Sequence, residues 1–144
     1  MTQFILFLQK NPMNLVLLGT MIVSGALLVL PFIKRLMRPG QEVGPTEAVL
    51  LINRRDAVVL DVRDAAEYKS GHITNARNVP EAEFDARAKE LDTVKAKPII
   101  VSCARGNRSG AIAAKLRKLG FAEVVSLRGG IAAWNQANMP LEKS

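Results

Sequence analysis

The sequence contains one cysteine, Cys103, in a run of small, polar and basic residues whose types could make its thiol reactive. Apolar residues 99–101 come before it, and a helical pattern begins near Ser109. A thiol between the end of a strand and the start of a helix faces the positive end of the helix dipole and unpaired backbone N–H groups. Both favour the thiolate, the nucleophilic form of cysteine. The pattern therefore predicts a nucleophile at Cys103.

Three neighbours of this cysteine support the prediction. Arg105 and Arg108 add positive charge, which stabilises a thiolate and attracts an anionic substrate. Gly106 allows the backbone to turn with a positive φ or to approach a ligand closely. The alternative is an inert, buried cysteine in an ordinary loop with solvated arginines, which is common in proteins.

Composition excludes several other kinds of site. One cysteine cannot form an intrachain disulfide, and with His72 as the only histidine it forms no Cys/His zinc cluster, so we expect no metal site. Residues 39–144 hold sixteen of the twenty basic residues and all thirteen acidic ones. This surplus is slight, and no aromatic residues alternate with the basic ones as stacking platforms would require. No nucleic-acid partner is expected.

Strand and helix patterns alternate along the chain and must position the cysteine. This alternation is typical of an α/β fold with a mostly parallel central sheet flanked by helices. Reactive groups in such folds gather beyond the carboxyl ends of the strands, where Cys103 is predicted to lie. The predicted strands are 57–60, 76–79, 98–102 and 123–127, with a possible edge strand at 41–43, and the predicted helices are 47–54, 64–69, 81–91, 109–119 and 131–137.

Residues 103–109 read Cys-Ala-Arg-Gly-Asn-Arg-Ser and resemble the active loop of single-domain rhodaneses, Cys-x-x-Gly-x-Arg-Ser. The resemblance covers roughly residues 43–141, because further motifs stand in the order and spacing of that family. It implies a rhodanese-like three-layer fold. These motifs are Asp61-Val62-Arg63, Glu67-Tyr68, Gly71-His72-Ile73, Ala76, Asn78-Val79-Pro80, Gly129-Gly130 and Trp134.

The resemblance implies a sulfurtransferase of the thiosulfate type that needs no cofactor. Cys103 would take sulfane sulfur from a donor such as thiosulfate, carry it as a persulfide, and pass it to a thiol or to cyanide. Phosphatases and arsenate reductases of related fold place five residues between cysteine and arginine, whereas four separate Cys103 from Arg108, which favours sulfur over phosphate. The residues expected to bind substrate or persulfide are Ala104, Arg105, Gly106, Asn107, Arg108 and Ser109.

Four residues outside the loop have expected roles. Asp61 and Arg63 stand at a strand end, where they either border the pocket or form a buried ion pair. His72 resembles a structural histidine that hydrogen-bonds to the backbone. Trp134 is expected in the core.

Residues 11–33 form a stretch of 23 residues without a charge, long enough to cross a bilayer as a helix. It ends in Lys34, Arg35 and Arg38 rather than in small residues, which argues against a cleaved signal peptide. A buried core helix is the other alternative, although a domain of this size does not need one so long. We expect a membrane anchor at 1–38, a linker at 39–45 and a rhodanese-like domain at 46–144.

The flanking charges predict the orientation of this anchor. Basic residues outnumber Lys10 and the α-amine on the C-terminal side, which places the rhodanese-like domain on the cytoplasmic face of a bacterial inner membrane. The basic cluster would contact anionic lipid. The anchor also suggests an alternative function, a membrane-tethered binding or scaffold module for other membrane proteins, since a soluble sulfur carrier needs no anchor.

Overall fold

The computed structural model describes residues 3, 5, 6, 11–36 and 42–144, with the backbone alone for residues 32–36. The chain divides into two compact units, Met1–Pro39 and Gly40–Ser144. Lys10, Arg38 and residues 39–41 of the predicted linker lie outside the described residues.

The first unit contains one long helix, α1, at Pro12–Leu36. Pro12 starts it, where a missing N–H costs no hydrogen bond, and Pro31 lies inside it. The segment Pro12–Pro31 is long and apolar enough to cross a membrane, and its large aliphatic side chains are mostly exposed.

The second unit is built on a five-stranded sheet in the order β1-β6-β5-β2-β4, in which every pairing is parallel. A separate antiparallel pair joins β3 to β7. The strands are β1 (Glu42–Val43), β2 (Val58–Asp61), β3 (His72–Ile73), β4 (Arg77–Asn78), β5 (Ile99–Ser102), β6 (Val124–Leu127) and β7 (Leu141–Glu142).

Helices cover both faces of the sheet, which confirms the predicted three-layer α/β architecture. Successive β5 residues alternate between the faces: Ile99 and Val101 pack with α4 and α5, and Ile100 packs with α2 and α6. Each fully buried aliphatic side chain contributes about 1.5–3 kcal/mol. The helices are α2 (Pro45–Arg55), α3 (Ala65–Ser70), α4 (Phe84–Arg87), α5 (Ser109–Lys118) and α6 (Gly130–Gln136).

The single helix predicted over residues 81–91 is wrong. Two 3₁₀ segments, Glu81–Glu83 and Ala88–Val94, flank the short α4. Side chains three residues apart eclipse one another in a 3₁₀ helix. This brings Leu91 and Val94 to the same side, and both are buried in the core.

The β3–β7 pair was absent from the predicted elements. It joins residues 141–142 near the C-terminus to residues 72–73. His72 is buried and stacks on Tyr68, with ring centroids 3.8 Å apart. Its Nδ1 lies 2.8 Å from the Tyr68 carbonyl oxygen and its Nε2 lies 3.2 Å from Glu142 Oε1. The predicted structural role of His72 is therefore confirmed. Trp134 is likewise buried, as predicted, and donates to the Pro140 carbonyl at 2.9 Å.

The hydroxyl of Ser102 predicts a stability effect. Among the described residues, its Oγ is the buried side-chain oxygen that has no hydrogen-bond partner. A buried polar atom without a partner costs free energy, so Ser102→Ala should leave the free energy of unfolding unchanged or raise it by up to about 1 kcal/mol. Urea denaturation checks this, with Leu60→Ala as the comparison, expected to lose about 2–5 kcal/mol. A loss of similar size in Ser102→Ala would contradict the prediction.

Candidate active site

Cys103 follows β5 directly and lies at the carboxyl edge of the parallel sheet, at a cavity of about 300 Å³. The residue is buried, with 1% of its surface exposed. An apolar strand that is buried at all four positions fixes the backbone that leads to it. The lining residues of the cavity are Val62, Arg63, Glu67, Cys103, Ala104, Arg105, Asn107 and Arg108.

The loop after Cys103 curls around the sulfur. The Gly106 N–H donates to Cys103 Sγ at 3.0 Å, and the Asn107 side chain lies at the edge of the same contact, with Oδ1 3.9 Å from Sγ. Gly106 has φ +86°, a left-handed conformation that favours glycine. Without this turn the N–H group could not point back at the thiol.

Two opposing effects set the protonation of this thiol. Burial raises the pKa of the Cys103 thiol, and hydrogen bonds from the backbone N–H groups of Arg108 and Ser109, the Ser109 hydroxyl and the Gly106 N–H lower it. The hydrogen bonds prevail, so the pKa lies below its ordinary value. Arg108 and Ser109 stand at the start of α5, where the helix dipole is positive. The site therefore favours the thiolate.

The other side of the loop is bonded to the start of α6. Ile131 N–H donates to the Cys103 carbonyl at 2.9 Å, and Ala132 N–H donates to the Ala104 carbonyl at 3.1 Å. These two bonds hold the start of the loop against α6.

This contact depends on paired glycines. A Cβ on Gly130 would lie 2.3 Å from the Cys103 carbonyl oxygen, and one on Gly106 would lie 2.8 Å from the Gly129 nitrogen. Gly129 and Gly130 also have positive φ, +73° and +59°. The two backbones meet at distances that no side chain permits.

The two arginines of the loop are exposed and line the cavity. Within residues 42–144 neither Arg105 nor Arg108 forms an ion pair with a carboxylate. Their positive charge is thus free to act on a ligand. Glu67, also exposed, adds one negative charge to the same cavity.

Asp61 and Arg63 form a buried ion pair. Arg63 Nη2 lies 2.7 Å from Asp61 Oδ2 and 2.7 Å from the Gly71 carbonyl oxygen. Asn78 Nδ2 donates to the carbonyls of Asp61 and Arg63, which fixes the chain on either side of Val62. Arg63 also lines the cavity, whereas Asp61 stands behind it. The ion pair therefore shapes the lining of the cavity. Asp61 neutralises the charge of Arg63.

The structure brings together most residues singled out in the sequence. Ala104, Arg105, Asn107 and Arg108 line the cavity with Cys103, while Gly106 supplies the turn. The last loop residue, Ser109, is buried beneath it. In the part of the chain that the structure describes, no three His, Cys, Asp or Glu side chains are grouped to hold a metal ion.

Sequence reasoning missed two residues, one that lines the cavity and one that contacts the buried end of the loop. Glu67 stood within a matched motif, but nothing in its spacing indicated that α3 faces the cavity. Ser126 lies 23 residues after Cys103 in sequence. Its Oγ is 2.5 Å from Ser109 Oγ. Only the register between β5 and β6 reveals that proximity.

Comparisons with known proteins agree on one family. The model of the rhodanese-like domain matches residues 44–137. The Escherichia coli K12 protein YibN, described as uncharacterized, is 41% identical over 96 residues, which cover 66% of this chain and 67% of that protein. The thiosulfate sulfurtransferase GlpE of Pseudomonas fluorescens is 43% identical over 93 residues, covering 62% of this chain and 81% of that protein.

Solved structures agree with the sequence matches. A rhodanese-related protein from Thermoplasma volcanium superimposes with a TM-score of 0.66 at 32% sequence identity. The match covers 72% of this chain and 99% of that one.

The glycine contact predicts how the thiol titrates. Alkylation of Cys103 by iodoacetamide should reach half its maximal rate at a lower pH in the folded protein than in urea, where the pKa is about 8.5. Gly130→Ala should move this midpoint upward, because a Cβ there would lie 2.8 Å from the Gly106 nitrogen and displace the N–H group that donates to the sulfur. Gly110→Ala is the matched control, since a Cβ there meets nothing within 4 Å. Equal midpoints in all three folded proteins would contradict the prediction.

Proposed function

The chain belongs to the rhodanese-like domain family, and we propose that it is a sulfurtransferase that carries sulfane sulfur as a persulfide on Cys103. One observation carries the proposal. Backbone N–H donors surround a buried sulfur whose pKa they lower, which is the environment that a thiolate nucleophile and a persulfide anion both require. Family-level activity is supported by relatives named thiosulfate sulfurtransferase.

In the first half-reaction, the Cys103 thiolate attacks the outer sulfur of a donor such as thiosulfate. A bond forms between Sγ and that sulfur, and the bond to the sulfonate group breaks. Sulfite leaves with the bonding electron pair. Arg105 and Arg108, which line the cavity without a carboxylate partner among the described residues, would attract the doubly charged donor.

In the second half-reaction, an acceptor thiolate or cyanide attacks the outer sulfur of the persulfide. The Sγ–S bond breaks and Cys103 leaves as the thiolate, so no external oxidant or reductant is needed. A thiol of lowered pKa is a good leaving group. The same N–H donors therefore assist both steps, because negative charge returns to the same sulfur.

The size of the loop favours sulfur over a phosphoryl group. The Gly106 N–H already lies 3.0 Å from Sγ, so the donors close around one atom. A cradle for a tetrahedral oxyanion needs N–H groups directed at three oxygens beyond the sulfur. The four-residue spacing between Cys103 and Arg108 supports the same conclusion.

We further propose that α1 anchors the protein in a membrane, with the second unit in the cytoplasm. Support comes from the length, composition and exposed aliphatic surface of Pro12–Pro31. The basic residues that follow it in sequence would remain on the cytoplasmic side and contact anionic lipid. The same exposed surface is what a membrane-tethered binding module would use, and the two functions can coexist.

Sulfur loading tests the central proposal. Incubation of the full-length chain in detergent with thiosulfate should add the mass of one sulfur atom to the peptide containing Cys103, and later addition of cyanide should release thiocyanate. Cys103→Ser should lose both signals. Ser102→Ala, which changes the adjacent buried residue, should retain both. If folded wild-type protein gains no sulfur from thiosulfate or from small-molecule persulfides, the proposed function is wrong.

Labelling of single cysteines tests the orientation. In a Cys103→Ser background, Ser144→Cys should resist a membrane-impermeant maleimide in intact spheroplasts and react once the membrane is permeabilised. Thr2→Cys in the same background should react in intact spheroplasts. The reverse pattern would place the second unit outside the cytoplasm, and release of the chain by high salt would contradict the anchor.

A further inference from the structure

We infer that Glu67 is a specificity-determining residue: its carboxylate favours sulfur donors that carry a single negative charge, such as the persulfide of a thiol, over doubly charged thiosulfate. The inference deepens the proposed function and rests on it, because it names the class of donor for the same cavity. Glu67 belongs neither to the loop after Cys103 nor to the buried ion pair of Asp61 and Arg63.

Helix α3 places Glu67 at the cavity. Tyr68, the next residue, fixes this helix through its hydroxyl, which donates to the Ala76 carbonyl at 2.6 Å. Just after the helix, the Gly71 carbonyl accepts a hydrogen bond of 2.7 Å from Arg63 Nη2. These two contacts hold a helix of six residues beside the cavity that Glu67 lines.

The carboxylate of Glu67 has no structural partner. Within residues 42–144 it forms no hydrogen bond and no ion pair, and the residue is exposed. Arg63, which lines the same cavity, is already bound by Asp61 at 2.7 Å. The charge of Glu67 is therefore available to act on a ligand that enters the cavity.

The charges that line the cavity balance one another. Arg105 and Arg108 supply two positive charges, whereas Glu67 and the Cys103 thiolate supply two negative ones. The cavity that receives a donor is thus neutral overall, and without Glu67 it would carry one positive charge. Coulomb energy is proportional to charge, so the attraction that Glu67 removes is twice as large for a dianion as for a monoanion.

The size of the cavity makes this charge effective. A sphere of 300 Å³ is about 8 Å across, which is about one Debye length at physiological ionic strength. Salt therefore screens a charge on the lining only partly from a ligand inside. At that distance, each negative charge on the ligand should make its rate about two- to sixfold sensitive to the Glu67 charge at low ionic strength.

A persulfide anion supplies sulfur with one negative charge fewer than thiosulfate. The Cys103 thiolate attacks its outer sulfur, a bond forms between the two sulfurs, and the bond from the outer sulfur to the donor thiol breaks. The donor thiol leaves as a thiolate with the bonding electron pair, so no oxidant or reductant is required. One negative charge enters with this donor and one leaves with its product, whereas thiosulfate brings two.

Alkylation of Cys103 by two reagents that differ by one charge tests the inference in the full-length protein. Iodoacetate carries one negative charge and iodoacetamide none, and both react with the thiolate, so the ratio of their rates does not depend on the thiol pKa. Glu67→Gln should raise this ratio about two- to sixfold at low ionic strength, and added salt should reduce the rise.

Two control variants separate the charge from the side chain. Glu67→Asp keeps the charge and should leave the alkylation ratio close to its wild-type value. Glu47→Gln neutralises an exposed carboxylate that does not line the cavity, and it should also leave the ratio unchanged.

A matched pair of sulfur donors tests the same charge effect on sulfur transfer. In the methanethiosulfonate anion a methyl group replaces one charged oxygen of thiosulfate, so one negative charge remains. Glu67→Gln should raise kcat/KM for thiosulfate, relative to that for methanethiosulfonate, by about the same factor as the alkylation ratio. The change should lie in KM rather than kcat, because the charge acts equally on the bound donor and on the transition state.

An unchanged alkylation ratio in folded Glu67→Gln overturns the inference. An equal rise in Glu67→Asp overturns it as well, because the charge would then not be the cause. If Glu67→Gln does not fold, Glu67→Ala replaces it with the same expected ratio.

The alkylation ratio keeps this inference distinct from the proposed function, because alkylation needs no sulfur transfer. A raised ratio in a protein that takes up no sulfur would support the charge effect of Glu67 and refute sulfur transfer. Normal sulfur transfer with both ratios unchanged in Glu67→Gln would do the opposite.

Discussion

The site depends on a close contact between two backbones, the loop after β5 and the turn that begins α6. The carbonyls of Cys103 and Ala104 accept hydrogen bonds from the first N–H groups of α6, and glycine at positions 106, 129 and 130 allows the approach. This contact fixes the start of the loop, and the positive φ of Gly106 then turns its N–H group back to the sulfur. The N–H groups of Gly106, Arg108 and Ser109 are the backbone donors that lower the thiol pKa, and two of them stand at the start of α5.

Those donors must overcome the cost of burial. An apolar environment alone would keep Cys103 as a neutral thiol, because desolvation disfavours the charged form. The N–H groups of Arg108, Ser109 and Gly106 reverse that preference and leave the thiol pKa lowered. Since the folded pKa is below the unfolded one, ionisation of Cys103 stabilises the fold above the unfolded pKa, and this contribution is lost as the pH falls through the folded pKa. The hydrogen bonds that lower the thiol pKa thus activate the nucleophile and also stabilise the fold at high pH.

Much of this arrangement could be predicted from the local sequence. The apolar run at β5, the glycine turn and the helix beginning at Ser109 are local features, and each was predictable from neighbouring residues. The β3–β7 pair was not, because strands of two residues show no periodicity and their partners are far apart in sequence. The contact between Ser109 and Ser126 also depends on sheet register, which local patterns do not specify.

The charges of the cavity also require the folded structure to interpret. Three arginines line it, but Arg63 is neutralised by Asp61 behind the wall, and Glu67 opposes Arg105 and Arg108. The remaining positive charge is therefore small. For the proposed reaction a small surplus suits both steps, since it attracts an anionic donor while it holds the anionic product only weakly. It also allows the acceptor to approach as a thiolate, because the charge that drew the donor is still unpaired once sulfite has left. A cavity with three free arginines would bind the donor more tightly but would also retain the product, and tighter binding of ground states does not accelerate the chemical step.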